Sequence, residues 1–132
     1  MKSKYTFVCE AANISQGGNL NVLGIFQNIN AENFPITFAK MIYVASIQFH
    51  RSETGKHFFK VNFIDDDGKP VIPPLEGEFM VYENNLSANL LLGIEGIVFP
   101  KPGTYAIDLA IDHQHVATDN IQVMKVENQP RI

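Results

Sequence analysis

The sequence predicts an all-β protein, a two-sheet antiparallel β-sandwich of seven or eight strands with little helix. Three observations support this fold class. Apolar residues recur with a period of two, turns rich in glycine and proline separate these segments, and 132 residues suit one domain. Because neighbouring side chains of a strand point to opposite faces, a period of two is typical of strands that bury one face.

Seven segments carry the strand pattern. In 104–112, large apolar residues alternate with small or polar ones, so this strand is half buried. Residues 41–49 are apolar on both faces at first, which is typical of a central strand. Residues 28–30, in contrast, are predicted as a loop. The seven segments are the run before Ser15, then 20–26, 41–49, 57–65, 75–82, 104–112 and 115–126.

An eighth segment, 86–99, fits a strand or a helix. Four aliphatic residues have the spacing of one helix face: Leu86, Leu90, Ile94 and Ile97. Gly93 and Gly96, however, each disfavour a helix by about 1 kcal/mol relative to alanine. We therefore predict a strand with a kink near the two glycines, with the helix as the alternative.

Composition indicates a soluble globular protein that forms one domain over residues 1–132, with 128–132 as a loose tail. The N-terminal segment lacks the apolar core and cleavage site of a secretory signal. No stretch approaches the roughly 18–20 apolar residues that a membrane span needs. We therefore expect a cytoplasmic protein that does not contact a membrane.

The charge pattern argues against nucleic acid as a partner. The net charge is −4, and the ten basic residues are scattered along the chain. Only Arg51, Lys56 and Lys60 form a loose group, whereas nucleic-acid binding usually needs a concentrated basic face.

Two histidines in the closing hairpin are the candidate metal ligands. His113 and His115 lie two positions apart, so both imidazoles would lie on one face if a strand continued through them. A zinc site needs three or four ligands, however. Asp112 is next in sequence, and His50 and His57 flank a different hairpin, so a third ligand would have to come from the fold. We predict that residues 112–114 form a reversal with surface histidines, and we expect no bound metal or other cofactor.

Acidic residues offer two further candidate sites. Asp65-Asp66-Asp67-Gly68 resembles part of a calcium loop but lacks the glutamate that would close it, so a plain turn is predicted. Glu76 and Glu78 would lie about 6.5–7 Å apart on one strand face, within the range of a glycosidase acid–base pair. An alternating solvent-facing surface explains them better. Glu83 and Glu95 are further candidates for an acid or a base beside this pair.

Cys9 is the only cysteine, so no disulfide can form within the chain. It follows the apolar run YTFV, where a thiol usually behaves as a small buried hydrophobic group. A nucleophilic cysteine would need a neighbouring base, and the local sequence supplies none.

Several motifs together resemble a known family. Cys9 with its apolar run, Gly18–Phe26 and Phe34-Pro35 are similar to the opening of a family of small bacterial proteins known only as a domain of unknown function. The Asp67-Gly68 turn and the stretch Pro102–Tyr105 are similar too. The resemblance covers nearly the whole chain and implies an immunoglobulin-like sandwich. It implies no catalytic residue, cofactor or substrate.

The sequence is compatible with three functions. The leading hypothesis is a non-enzymatic protein-interaction or structural module that meets another protein, or copies of itself, through an edge strand. The alternative is a small-ligand or metal-binding domain that uses His113 and His115. A hydrolase that uses Glu76 and Glu78 has the least support.

Overall fold

Alternating apolar residues place one face of nearly every strand in a shared core. The structure is a computed structural model that describes residues 1–127, and the predicted tail at 128–132 lies outside these residues. Within residues 1–127, nine strands form, with one short 3-10 turn at Arg51–Glu53. The strands are β1 (Lys2–Ile14), β2 (Leu20–Phe26), β3 (Asn28–Ala31), β4 (Ile36–Gln48), β5 (Gly55–Ile64), β6 (Leu75–Val81), β7 (Ser87–Phe99), β8 (Gly103–Ile111) and β9 (Gln114–Lys125).

The strands form two sheets that face each other across the core. The four-stranded sheet has the order β2-β1-β4-β7, and the five-stranded sheet has the order β3-β9-β8-β5-β6. Every pair is antiparallel except β3 with β9, which is parallel. The predicted all-β sandwich is therefore confirmed. Residues 1–127 contain no helix with the length and apolar character that crossing a membrane requires.

The strand order identifies the sandwich as immunoglobulin-like. Strands β1-β4-β7 correspond to the A, B and E strands of that fold, and β9-β8-β5-β6 correspond to G, F, C and C′. Near the start of β8, the Tyr105 hydroxyl donates a hydrogen bond to the Lys101 carbonyl oxygen at 2.6 Å. This contact is the tyrosine corner that such folds carry at the beginning of strand F. Ile107 is buried at the position where antibody domains carry the second cysteine of their disulfide.

One cluster of aromatic side chains in the core lies at the tyrosine corner. The Phe99 ring lies 4.9 Å from the Tyr105 ring in an edge-to-face arrangement and 5.9 Å from the Phe63 ring. Such aromatic pairs contribute about 0.5–1.5 kcal/mol beyond the area they bury. The largest side chains that are essentially inaccessible to solvent include Tyr43, Tyr105, Phe63, Phe99 and Met41.

Two details of the predicted fold were wrong. The described part of the chain has nine strands instead of seven or eight, and the sandwich is not wholly antiparallel, because Asn28–Ala31 forms β3 where the sequence predicted a loop. Four residues are too few to establish a period of two. The strand exists because Ile29 is buried between the sheets at 5% exposure and because β9 supplies backbone partners.

The ambiguous segment 86–99 is a strand, so the prediction of a kinked strand is confirmed. Gly96 has φ +62, a conformation that glycine adopts without steric cost. The buried face changes there, because Ile94 and Ile97 both enter the core although they are three positions apart. The kink leaves residues 87–95 as a regular stretch that pairs with β4.

Removing the tyrosine-corner hydroxyl tests this assignment. We expect Tyr105→Phe to lower the free energy of unfolding by about 1 kcal/mol, because the Lys101 carbonyl loses its buried donor while the ring keeps its packing. Urea denaturation of both proteins measures the difference. Tyr82→Phe is the control, since Tyr82 is 58% exposed and should change little. Equal losses from the two substitutions would contradict the structural role of the corner.

Candidate functional site

The closing hairpin reverses where the sequence predicted it. Asp112 and His113 form a two-residue turn with φ values of 52° and 67° between the paired residues Ile111 and Gln114. Two consecutive positive φ values are typical of the type I′ turn that joins tightly paired strands. Asp112 stabilises the turn, because its backbone N–H donates to the Phe58 carbonyl oxygen at 2.9 Å.

The turn separates the two histidines that were the candidate metal ligands. His113 lies at the turn, whereas His115 lies on β9, where its Nε2 is 2.7 Å from the Thr118 hydroxyl oxygen. That hydroxyl donates to Asp108. Within residues 1–127, no group of three or more histidine, cysteine, aspartate or glutamate side chains is arranged to hold a metal ion.

Glu76 and Glu78 do share the outer face of β6, as the alternation predicted. Glu78 is paired with Lys56 at 3.4 Å, and Glu76 is paired with Lys60 at 3.7 Å. All four side chains are about half exposed or more, so these pairs contribute little to stability. Each carboxylate has a lysine partner on an open surface, so the pair does not form an enclosed acid–base site.

The two other glutamates considered with this pair lie elsewhere. Glu83 follows β6 in an exposed turn, and Glu95 lies on β7, next to Lys40 of β4. The four glutamates therefore belong to different parts of the surface and do not form one acidic site.

A shallow groove of about 490 Å³ lies on the outer face of the five-stranded sheet. Phe58 is 50% exposed there, and the small side chain of Ala110 leaves room beside it. His113 and the two lysine-paired glutamates border the groove. His115 does not line it, so the groove does not bring the two histidines together.

The aspartate run forms the predicted turn. The Asp65 carboxylate accepts hydrogen bonds from the backbone N–H groups of Asp67 and Lys69, both at 2.9 Å, and Gly68 has φ +78. The hydrogen bond from the Lys69 backbone is the main reason that the pKa of Asp65 is lowered. Asp66 instead accepts the backbone N–H of Thr104, so the neighbouring carboxylates do not converge on one cation.

Cys9 is fully buried on the outer side of the four-stranded sheet. Its Sγ lies 3.5 Å from the Ala11 carbonyl oxygen and 3.7 Å from that of Ile42. Burial raises the pKa of the thiol, although the contact with the Ala11 backbone opposes this effect. A buried thiol with a raised pKa is a poor nucleophile.

His57 carries the most constrained polar contacts, and the sequence did not indicate it. The side chain is almost buried, at 9% exposure, between the rings of Phe49 and Phe79. Its Nδ1 lies 2.5 Å from Asp112 Oδ2, and its Nε2 lies 2.6 Å from the Glu53 carbonyl oxygen. Both partners accept hydrogen bonds, so both ring nitrogens must donate, and the charged imidazolium satisfies the site.

The pKa values of His57 and Asp112 agree with this charge state. Burial lowers the pKa of His57. The hydrogen bonds to Asp112 and to the Glu53 carbonyl, together with attraction from nearby negative charge, raise it by more, so the pKa lies above 6.5. Burial likewise raises the pKa of Asp112, but hydrogen bonds from the Phe58 backbone and from His57 outweigh it, so that pKa is lowered. The pair joins β5, the 3-10 turn and the closing hairpin.

The sheet edges are the remaining candidate for a functional surface. An edge strand has backbone N–H and C=O groups that no neighbour pairs, and proteins usually protect such edges. Three of the four edges are short or modified. Strand β3 has four residues, β6 carries Glu76 and Glu78, and β2 is distorted at Gly24, where φ is +70 and the pairing with β1 skips a residue, although it exposes Leu23 and Ile25.

Strand β7 is the long, unprotected edge. It has 13 residues, pairs with β4 on one side, and has no paired strand on the other side within the described part of the chain. Its sequence contains no proline and only one charged residue, Glu95. Gly93 lies on the outer face with no atom within 4 Å of the place where a Cβ would lie. The regular stretch 87–95 therefore has the features of a strand that can accept another strand.

Comparison with known proteins identifies a family but no activity. A family model described as "Family of unknown function (DUF6941)" matches residues 4–124, which confirms the resemblance to a family of unknown function. No curated protein matches the chain.

Two solved structures are similar at low sequence identity. A glycosyl hydrolase family 2 member from Bacteroides cellulosilyticus DSM 14838 is 16% identical, with a TM-score of 0.49 over 67% of this chain and 14% of that chain. The chain thus spans about one seventh of the length of that enzyme. An immunoglobulin-like protein from Pseudomonas aeruginosa is 9% identical, with a TM-score of 0.40 over 91% of this chain and 97% of that chain.

The imidazolium of His57 makes stability depend on pH. Above pH 6.5 the folded protein keeps a proton that the unfolded chain releases. The stabilisation is therefore complete below pH 6.5 and is lost as the pH rises through the raised pKa of His57. Urea unfolding at several pH values should show stability falling with pH in this window.

Substituting the histidine should remove that dependence. His57→Gln should be less stable at pH 6 and should lose most of the slope above pH 6.5. His115→Gln is the matched control, because its side chain is 63% exposed and makes its contacts on the outer face. An unchanged slope in His57→Gln would contradict the charged state of the buried histidine.

Proposed function

We propose that this chain, which belongs to the DUF6941 family of unknown function, is a non-enzymatic protein-interaction module that binds a strand of its partner along the free edge of β7. The unpaired edge of β7 is the observation that carries the proposal. Strand addition obtains its affinity from main-chain hydrogen bonds and its specificity from alternate side chains. The nine residues 87–95 present both backbone groups and alternating side chains in a regular strand conformation.

The composition of β7 supports binding along the whole of this stretch. In antiparallel pairing, alternate residues direct their N–H and C=O groups to opposite sides, so about half of these groups face away from β4. Leu91 and Leu92 are only partly buried, one on each face of the strand. A partner strand would therefore gain backbone hydrogen bonds and apolar contacts together.

The polar clusters support a module without catalysis. The Thr118 hydroxyl donates its only proton to Asp108, so His115 Nε2 faces the hydroxyl oxygen as a donor and does not act as its base. Glu76 and Glu78 are each paired with a lysine on an open surface. Neither arrangement combines a nucleophile, a base and a group that orients the base.

The alternative, a small-ligand or metal-binding domain that uses His113 and His115, has weaker support. The groove borders His113 but not His115, and Thr118 already occupies the Nε2 of His115. The positive charges of the lysines and the negative charges of the glutamates cancel around the apolar centre of the groove. The groove therefore favours neither anionic nor cationic ligands. We therefore place the interaction at the β7 edge.

A lysine in the exposed strand should block the partner. Gly93→Lys fits the fold, because Gly93 has no positive φ and its Cβ position is open, while the charge would oppose a strand laid beside β7. Affinity-tagged protein, incubated with lysate of the native host and read by quantitative mass spectrometry, should lose its specific partner at least tenfold on this substitution.

Gly17→Lys is the matched control. It makes the same chemical change in the turn between β1 and β2, where φ is also not positive and only ordinary contacts surround the Cβ position. The partner, whether another protein or a differently tagged copy of this chain, should be recovered as with the wild type. Equal recovery of every partner by the wild type and both variants would overturn the assignment of the β7 edge.

A further inference from the structure

We infer that the strand bound at this edge is β7 of a second copy of the chain, antiparallel and centred on Leu92. The inference rests on the proposed function and specifies its partner. The two four-stranded sheets would then form one continuous sheet across a two-fold axis. A two-fold dimer uses the same surface on both subunits, so the sequence of β7 must complement itself when reversed.

Symmetry restricts the possible pairings. A two-fold axis perpendicular to the sheet keeps the outer face of one copy beside the outer face of the other. Outer residues must therefore face outer residues, and inner residues must face inner ones, which requires the axis to pass through a residue position. Within the regular stretch 87–95, the candidates near the middle are Leu91, Leu92 and Gly93.

An axis through Leu92 matches large side chains to open space on the outer face. It places Leu91 opposite Gly93 of the second copy, and the reverse pair forms by symmetry. Gly93 has no atom within 4 Å of its Cβ position, so a leucine from the neighbouring strand meets no clash there. Leu91 is itself only partly buried in the single chain, so it has apolar surface to bury.

The same axis gives the only charged residue of β7 a polar partner. Glu95 would face Asn89 of the second copy, whose amide can donate to the carboxylate. Asn89 is exposed and makes no side-chain hydrogen bond within residues 1–127. Lys40 lies beside Glu95 on β4, so the charge remains balanced in the dimer.

The inner face is apolar in this pairing. Leu92 would face Leu92 of the second copy, and Leu90 would face Ile94 of the second copy. Leu90 and Ile94 already belong to the buried core, and Leu92 packs against it at the margin. The dimer would therefore extend the two cores across the new strand pair without burying an unpaired polar side chain.

The neighbouring pairings fit less well. An axis through Gly93 would place Leu91 opposite the Glu95 carboxylate. An axis through Leu91 would place Glu95 opposite Ser87, whose hydroxyl already donates to Gln48 Oε1 at 2.9 Å and has no second proton to give. Of these three positions, Leu92 is the one at which the axis satisfies both the shape and the charge of the strand.

Disulfide trapping tests the pairing directly. In a Cys9→Ala background, the variants Asn89→Cys and Glu95→Cys are purified separately and oxidised alone or as an equal mixture. Positions 89 and 95 of opposite copies would be direct neighbours, whereas the two copies of position 89 would lie roughly 20 Å apart. We expect a covalent dimer in the mixture and none from either variant alone.

A shifted pairing would give a different result. A dimer from Asn89→Cys mixed with Gly93→Cys, and not from Asn89→Cys mixed with Glu95→Cys, would move the axis to Leu91 and overturn the assignment. A dimer from Asn89→Cys alone would also overturn it.

Sedimentation velocity of the unmodified chain provides the independent measurement. The wild type and Gly17→Lys should show a monomer–dimer equilibrium, and Gly93→Lys should raise its dissociation constant at least tenfold. A wild type that is monomeric at every concentration would end the inference of a second copy. If Gly93→Lys nevertheless loses another partner from the lysate, the proposed use of the β7 edge stands.

Discussion

Unpaired backbone groups at the edges of two open sheets are the constraint on which the rest of this structure depends. A sandwich of nine strands in two sheets has four edges, and each edge presents N–H and C=O groups without a neighbouring strand. The chain limits this exposure differently at three of them: β3 is short, β6 carries lysine-paired glutamates, and Gly24 distorts β2. The fourth edge, β7, is long, regular over nine residues and nearly uncharged, and for this reason we propose it as the interaction surface.

Several acidic residues stabilise the fold through hydrogen bonds to the backbone. Asp65, Asp66 and Asp112 accept backbone N–H groups in turns, and Asp112 also holds the imidazolium of His57. These contacts fix the closing hairpin against β5 and fix the turns at the ends of the five-stranded sheet. A rigid sandwich with fixed turns holds its edges in place, and a preorganised edge loses less conformational entropy when it binds a strand.

Local patterns in the sequence predicted most of the strands, because a half-buried strand shows its period within a few residues. Residues 104–112 illustrate this, since the alternation there coincides with β8 to within one residue at each end. The kink of 86–99 was also predictable, because Gly96 marks a conformation that other residues rarely adopt. Strand β3 was not predicted, because four residues cannot establish a period. In addition, β3 is stabilised by pairing with β9, which lies far along the chain.

The functional features depend on long-range pairing and were harder to predict. His57 is separated from Asp112 by 55 positions, so no local motif indicates that the two side chains meet. The sequence shows the glycines and leucines of 86–99, but it does not show that β7 lies at a sheet edge. Strand order depends on which distant segments pair. The sequence therefore suggested an edge-strand interaction only in general, and the choice of β7 in our proposal depends on the topology.

Amide hydrogen exchange of residues 87–95, followed by NMR at two protein concentrations, tests most directly whether β7 is completed by a second copy. The amides that face β4 are protected in either state, so the informative ones are those that face away from it. We predict that these amides exchange slowly in concentrated protein and that dilution restores fast exchange. Fast exchange of these amides at every concentration would contradict pairing with a second copy.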